Sequence, residues 1–286
     1  MPILLNWLES FDRRMALEEV PHRARPIKAW CEWCRETGES FGIDDPKAKQ
    51  IFQWFELHSP PGALYIPNVF TGAFYFDAYF WPVDIPMVFG TQALESRDAL
   101  ADMPATTQRR LFEVPDDLED FKALWADCID YGHGYRDLHL EFGATEFWQR
   151  MIVSADRKLR SAVEDLCKSS PGENAMQSSR EACEMSLKGL LARDHGLTED
   201  DAKNPKKFYH DLSKLLEAVL RLMPNQIFSE AKARLGVFPS VGDRYAAKPY
   251  RASDLWAAYK IAQTIAAEVM RAFTPRNTRG QIATRF

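Results

Sequence analysis

The sequence predicts a mainly α protein, an up-and-down helical bundle in the C-terminal half behind an α+β region at the N-terminus. Three observations carry this. Apolar residues recur at steps of three and four through most of the second half. Proline and glycine fall at the ends of those runs rather than inside them. One stretch, Gly62 to Gly90, instead crowds aromatic and β-branched residues between Gly and Pro punctuation.

The elements follow in order. "PILLNWLESFDRRM" puts Leu5, Leu8, Phe11 and Met15 on one helical face. Pro26 suits the first turn of a second helix that runs to Gly38. Asp45-Pro46 is the cap and first position of a third, which must stop by Pro60-Pro61. Short strands or extended segments occupy 62–90. Pro115 and Asp116 then open a helix whose buried side is Leu118, Phe121, Trp125, Cys128 and Ile129, with Gly132 as its expected end. These pieces make residues 1–140 one N-terminal α+β region.

The second half is more regular. Trp148, Met151, Ile152, Ala155, Leu159, Val163 and Leu166 form one apolar stripe. After the loop "SSPGEN" comes "SREACEMSLKGLL", with Cys183, Leu187, Leu190 and Leu191 inward and a charged row of Arg180, Glu184 and Lys188. Those charges are i,i+4 pairs, each worth about 0.3–0.5 kcal/mol on a solvated face. Asn204-Pro205 predicts the start of a helix bearing Phe208, Leu212, Leu215, Leu216, Val219 and Leu222, closed by Pro224. On it His210 and Asp211 fall on the polar side with Lys207, Lys214, Glu217 and Arg221. A short helix from Asn225 ends at Gly236. Leu255, Tyr259, Ala262, Ala266, Val269 and Phe273 share a face of the last long helix. These helices form a bundle over 146–273, and 274–286 reads as a loose, polar, basic tail.

Composition narrows the function classes. At 286 residues and 46% hydrophobic, the chain can bury a sizeable core. A net charge of −5 excludes a chain coated in positive charge and leaves a local basic patch open. The richest apolar stretch is broken by Asp77, Asp84 and prolines, so no membrane span is expected. Five cysteines and no secretory leader predict a cytoplasmic protein without a disulfide framework.

The strong catalytic motifs are missing: no Gly-rich phosphate loop, no G-x-S-x-G elbow, no H-E-x-x-H pair. Cys31 and Cys34 form a CxxC with no second pair of ligands, and read as ordinary helix residues. "YGHGYRDLHLEF" gathers His133, Arg136, Asp137, His139 and Glu141; its histidines are weak metal or acid–base candidates, because the spacing fits no familiar ligand frame. No metal and no cofactor is expected.

Together, "NAMQSSREACEMSLKGLL", "FYHDLSKLL" and "RYAAKPY" before a closing helix resemble the HEPN superfamily (higher eukaryotes and prokaryotes nucleotide-binding). The matching positions are Asn174, Ala175, Ala182, Glu184, Leu187, Lys188, Leu190 and Leu191, then His210-Asp211-Leu212, then Arg244-Tyr245. The resemblance spans about residues 146–273. It implies a HEPN-like bundle that dimerises and either cleaves RNA without metal, in toxin–antitoxin or phage-defence systems, or binds a nucleotide, RNA or a cognate partner protein. The nuclease branch carries an arginine, then four to six intervening residues, then a histidine. No histidine here has an arginine at that spacing; after Arg244 the position falls near Pro249, leaving Tyr250. The resemblance therefore implies a binding module. Arg244, Tyr245, Lys188 and His210 would meet phosphate or base, with Glu184 and Asp211 orienting them. The alternative is a divergent ribonuclease using Arg244, Tyr250 and His210, with His133 or His139 from the N-terminal region as further candidates. A groove of Lys203, Lys206, Lys207 and Arg221 would favour nucleic acid.

Overall fold

The computed structural model describes residues 2–42, 44–88, 94–140, 143–204, 207–208, 210–239 and 249–283. It is mainly helical, with one two-stranded antiparallel sheet on the N-terminal side of the chain. The chain divides into two compact units, Met1–Pro67 and Asn68–Phe286.

The first unit holds α1 (Pro2–Leu17), α2 (Arg25–Thr37) and α3 (Pro46–His58). Its core is Leu8, Phe11 and Met15 from α1, Ala29, Trp30 and Cys34 from α2, and Ala48, Ile51, Trp54 and Phe55 from α3. The ends match the sequence signals. Gly38 closes α2 at φ +76°, a left-handed geometry that favours glycine. The Asp45 carboxylate accepts from the Lys47 N–H and caps α3.

The second unit begins with a hairpin, β1 (Phe70–Phe76) paired to β2 (Tyr79–Ile85). Asp77 and Ala78 join the strands at φ +55° and +61°, the positive pair of a tight two-residue turn. After α4 (Ala105–Glu113) comes α5 (Pro115–Asp137), which packs against β1. The expected end of α5 at Gly132 is not observed; the helix continues one further turn. Gly132 serves contact instead: a Cβ there would lie 2.7 Å from Phe70 Cβ and 3.0 Å from Val69 Cγ2. Residues 68–140 therefore share their core with the bundle rather than forming an N-terminal body with residues 1–67.

The bundle itself is α6 (Phe147–Leu166), α7 (Glu173–His195), α8 (Glu199–Lys203), α9 (Leu212–Leu222), α10 (Gln226–Ala233) and α11 (Ala252–Phe273). α6 and α7 run antiparallel, since Asn174 reaches Ser161 while Gly189 lies against Ile152. α7 is the central helix, packed by α6, α9 and α11, and it is buried on nearly all sides. Deep in the unit the Tyr259 hydroxyl accepts from the Ala73 N–H at 3.2 Å, tying α11 to β1.

The C-terminal segment is not loose. α12 (Thr278–Ala283) docks on α5, its first amides held by a buried carboxylate. Asp130 accepts from the Thr278 N–H at 2.7 Å and from Arg271 Nε at 2.8 Å. Asp127 accepts from Arg271 Nη2 at 2.7 Å and from Arg279 Nη1 at 3.1 Å. The tail's basic character is thus matched to acids buried on α5. Among the described residues, no helix is long and apolar enough to cross a membrane.

Candidate functional site

Arg180, Glu184 and Lys188 stand at successive i,i+4 positions of α7, so their side chains form one row. The sequence reads this row as a solvated face; the structure corrects that. Their side chains are 8%, 6% and 10% exposed, and the turn before α9 lies against the first two. That segment contributes His210, whose side chain is 35% exposed. His210 sits in a turn before α9, not on a helix face as expected, because α9 begins only at Leu212. Pro205, the expected start signal, lies outside the described residues.

Glu184 is the hub. Its Oε1 accepts from Lys188 Nζ at 2.7 Å, and its two oxygens lie 2.9 and 3.0 Å from His210 Nδ1. An ionised carboxylate can only accept, so Nδ1 carries the proton in this pair. Arg180 grips the same turn from the other side, its Nη2 donating to the His210 carbonyl at 2.6 Å. Arg180 Nη1 stands 3.9 Å from Glu184 Oε2 and is buried with no hydrogen-bond partner. Among the described residues, one carboxylate therefore faces two buried cations. This leaves an excess positive charge and an unused donor in a place poorly reached by water.

The remaining candidates divide. Asp211 is the N-cap of α9, accepting from the Lys214 N–H at 3.1 Å; it orients the helix rather than Lys188 or His210. Tyr250 is half-buried against the bundle core just before α11. Arg244, Tyr245, Lys206 and Glu141 lie outside the described residues. Lys203, Lys207 and Arg221 do not present a bare basic groove, since each is paired, with Glu199, Asp201 and Glu217 respectively. The two weak metal candidates are not gathered either. His133 is buried in α5, and its ring N–H donates to the Pro86 carbonyl. His139 follows the helix at φ +51°. No group of three or more His, Cys, Asp or Glu among the described residues could hold a metal ion. Cys31 and Cys34 are free thiols on α2. Burial pushes the Cys128 and Cys183 thiols up, which leaves both poor nucleophiles at neutral pH.

Sequence reasoning missed a second polar centre, the acids Asp127, Asp130 and Glu268 around Arg271. It borders a cleft of about 490 Å³ lined by Ile227, Arg276, Asn277 and Arg279 among others. Burial raises the Asp127 pKa against the pull of Arg271 and Arg279. The available signal was Asp127 falling in step with Leu124 and Tyr131 on a buried stripe. Three acids here face two arginines, Arg271 and Arg279, and the centre anchors α12. Comparison with known proteins found no family model matching the chain, no similar curated protein and no similar solved structure.

Proposed function

We propose that the second unit is a HEPN-like module that binds the phosphate of a nucleotide or of RNA at Arg180, Lys188 and His210, without cleaving it. The supporting observation is the charge imbalance: two buried cations share one carboxylate, and a buried guanidinium nitrogen lacks an acceptor. A phosphate oxygen supplies the missing acceptor and the missing negative charge. Because Lys203, Lys207 and Arg221 are paired with acids, the reading favours a short ligand over a long polyanion. A homodimer through the bundle, a cognate protein partner and a cytoplasmic setting belong to the same proposal. The free cysteines are in keeping with a reducing compartment.

The test is calorimetric titration with a nucleoside monophosphate and with a short single-stranded RNA at low salt. Lys188→Gln removes one cation, and a charged hydrogen bond of about 1.5–3 kcal/mol corresponds to a loss of roughly tenfold or more in affinity. Equal binding by wild type and by a folded Lys188→Gln protein refutes the site.

One observation favours the ribonuclease reading as well. Glu184 fixes the His210 ring through Nδ1, the arrangement that prepares Nε2 to take a proton from an attacking ribose 2′-hydroxyl. Arg180 and Lys188 would then stabilise the charge growing on the phosphodiester. RNA cleavage that survives a chelator and vanishes in His210→Ala and Arg244→Ala supports this reading; no cleavage by folded wild type excludes it in favour of binding.

A further inference from the structure

The phosphate reading of the α7 site, on which the following step rests, meets a geometric obstacle. A guanidinium grips a phosphate best through two nitrogens of one edge. The outer edge of Arg180 is Nη1 and Nη2, and Nη2 already gives one of its two N–H groups to the His210 carbonyl at 2.6 Å. Nη1 is buried and unpartnered, so no anion reaches it while the turn at His210 lies in place. The turn is held twice by α7: through its carbonyl by Arg180 and through its ring by Glu184. The next residue, Asp211, starts α9. Its carboxylate accepts from the Lys214 N–H, and its carbonyl accepts from the Leu215 N–H at 3.1 Å. A displacement at His210 therefore passes directly to the first turn of α9.

We infer that Arg180 is an exchangeable clamp: a bound phosphate group takes Nη1 and Nη2 together, the His210 carbonyl is released, and the first turn of α9 loosens. Occupancy of a buried site is thereby converted into a change on a surface helix, which a partner can read. The device needs no new charge, since the anion balances the cation that the clamp leaves in excess. Its two states exchange one charged hydrogen bond to the carbonyl for two to the phosphate oxygens. The ligand's differential affinity comes from the second contact at Nη1, which exists only after the swap.

The experiment is hydrogen exchange of the Lys214 and Leu215 amides in the full chain, with inorganic phosphate and then a nucleoside monophosphate as probes. Binding is followed separately by calorimetry. Saturating ligand is expected to speed exchange at both amides about tenfold, the effect of losing one charged hydrogen bond, while the amides of α6 stay unchanged. Arg180→Gln is expected to exchange fast at these amides without ligand and to show no further response. Lys188→Gln leaves the bond from Arg180 to the His210 carbonyl in place, so its amides should still speed up on binding, but only at higher ligand concentration. Should Arg180→Gln fail to fold, the Lys188→Gln comparison still decides. Binding without faster exchange at Lys214 and Leu215 overturns the clamp and leaves the phosphate site standing. No binding of either probe overturns both.

Discussion

Gly132 and Gly189 make a matched pair for testing how closely this bundle is packed. Each lies inside a long helix, and at each an added Cβ would stand 2.7 Å from a neighbouring carbon. Replacing glycine by alanine within a helix gains about 1 kcal/mol from backbone propensity. What opposes that gain differs between the sites. At Gly132 the struck atom is Phe70 Cβ, one bond from the β1 backbone and fully buried, with Val69 Cγ2 also at 3.0 Å. Relief requires the strand to shift, although β1 is pinned against α5 at Gly72 as well. Overpacking costs about 1–3 kcal/mol, and a struck atom tied to the backbone belongs to the upper part of that range, about 2–3 kcal/mol; after the propensity gain, Gly132→Ala should be destabilised by roughly 1–2 kcal/mol. At Gly189 the struck atom is the terminal Cδ1 of Ile152, which turns aside for about 0.5–1.5 kcal/mol of rotamer strain. Gly189→Ala should therefore stay within about 1 kcal/mol of wild type. Scanning calorimetry of the full chain reads both. At about 2–4 °C per kcal/mol, Gly132→Ala should melt about 2–8 °C lower, with Gly189→Ala close to wild type. A Gly132→Ala protein at or above the wild-type Tm, or a Gly189→Ala protein that is the worse of the two, would refute the packing argument.

Three further outcomes are expected. Asp130→Ala strands Arg271 and the first amides of α12, so urea unfolding should show a loss of about 3–5 kcal/mol, and residues 274–283 should become sensitive to protease; unchanged stability contradicts the anchoring role. Asp211→Ala should cost about 1 kcal/mol through the lost cap while leaving phosphate affinity intact, and a tenfold fall in affinity would return Asp211 to the binding set. Burial, with Arg276 beside it, lowers the His133 pKa. As pH falls below the ordinary histidine value of about 6.5, the unfolded chain binds a proton before the folded one does, so stability falls until the folded pKa is reached. The slope of unfolding free energy between pH 7 and pH 5 should be shallower in His133→Gln than in wild type; identical slopes reject the assignment.

Much of the fold was legible because helix ends are local. Asp45-Pro46, Gly38 and Pro115 act through their own backbone geometry, and each falls where an element starts or stops. Gly132 misled because a glycine that ends a helix and one that admits a neighbouring strand are the same letter; the difference lies in Phe70, far off in sequence. The charged row on α7 misled for a similar reason. An i,i+4 pair has the same spacing on a wet face and under a covering turn, and the cover here comes from His210, 26 residues beyond Glu184. The basic tail looked loose because its acceptors, Asp127 and Asp130, lie about 150 residues earlier. Glu184, Lys188 and His210 stood out by residue type; that Glu184 and Lys188 are buried beside Arg180 was not legible.

The hydrogen bond from the Ala73 amide to the Tyr259 hydroxyl spans 186 positions of the chain. A chain synthesised at about 5–20 residues per second presents the β1–β2 hairpin some 10–40 s before the part of α11 that covers it exists. The interior of this helical protein is therefore closed by one of its most distant contacts, which sets it apart from bundles assembled from neighbouring turns. During that interval an apolar hairpin face waits without its partner, and a chaperone or a stalled ribosome would meet the protein in that half-built form.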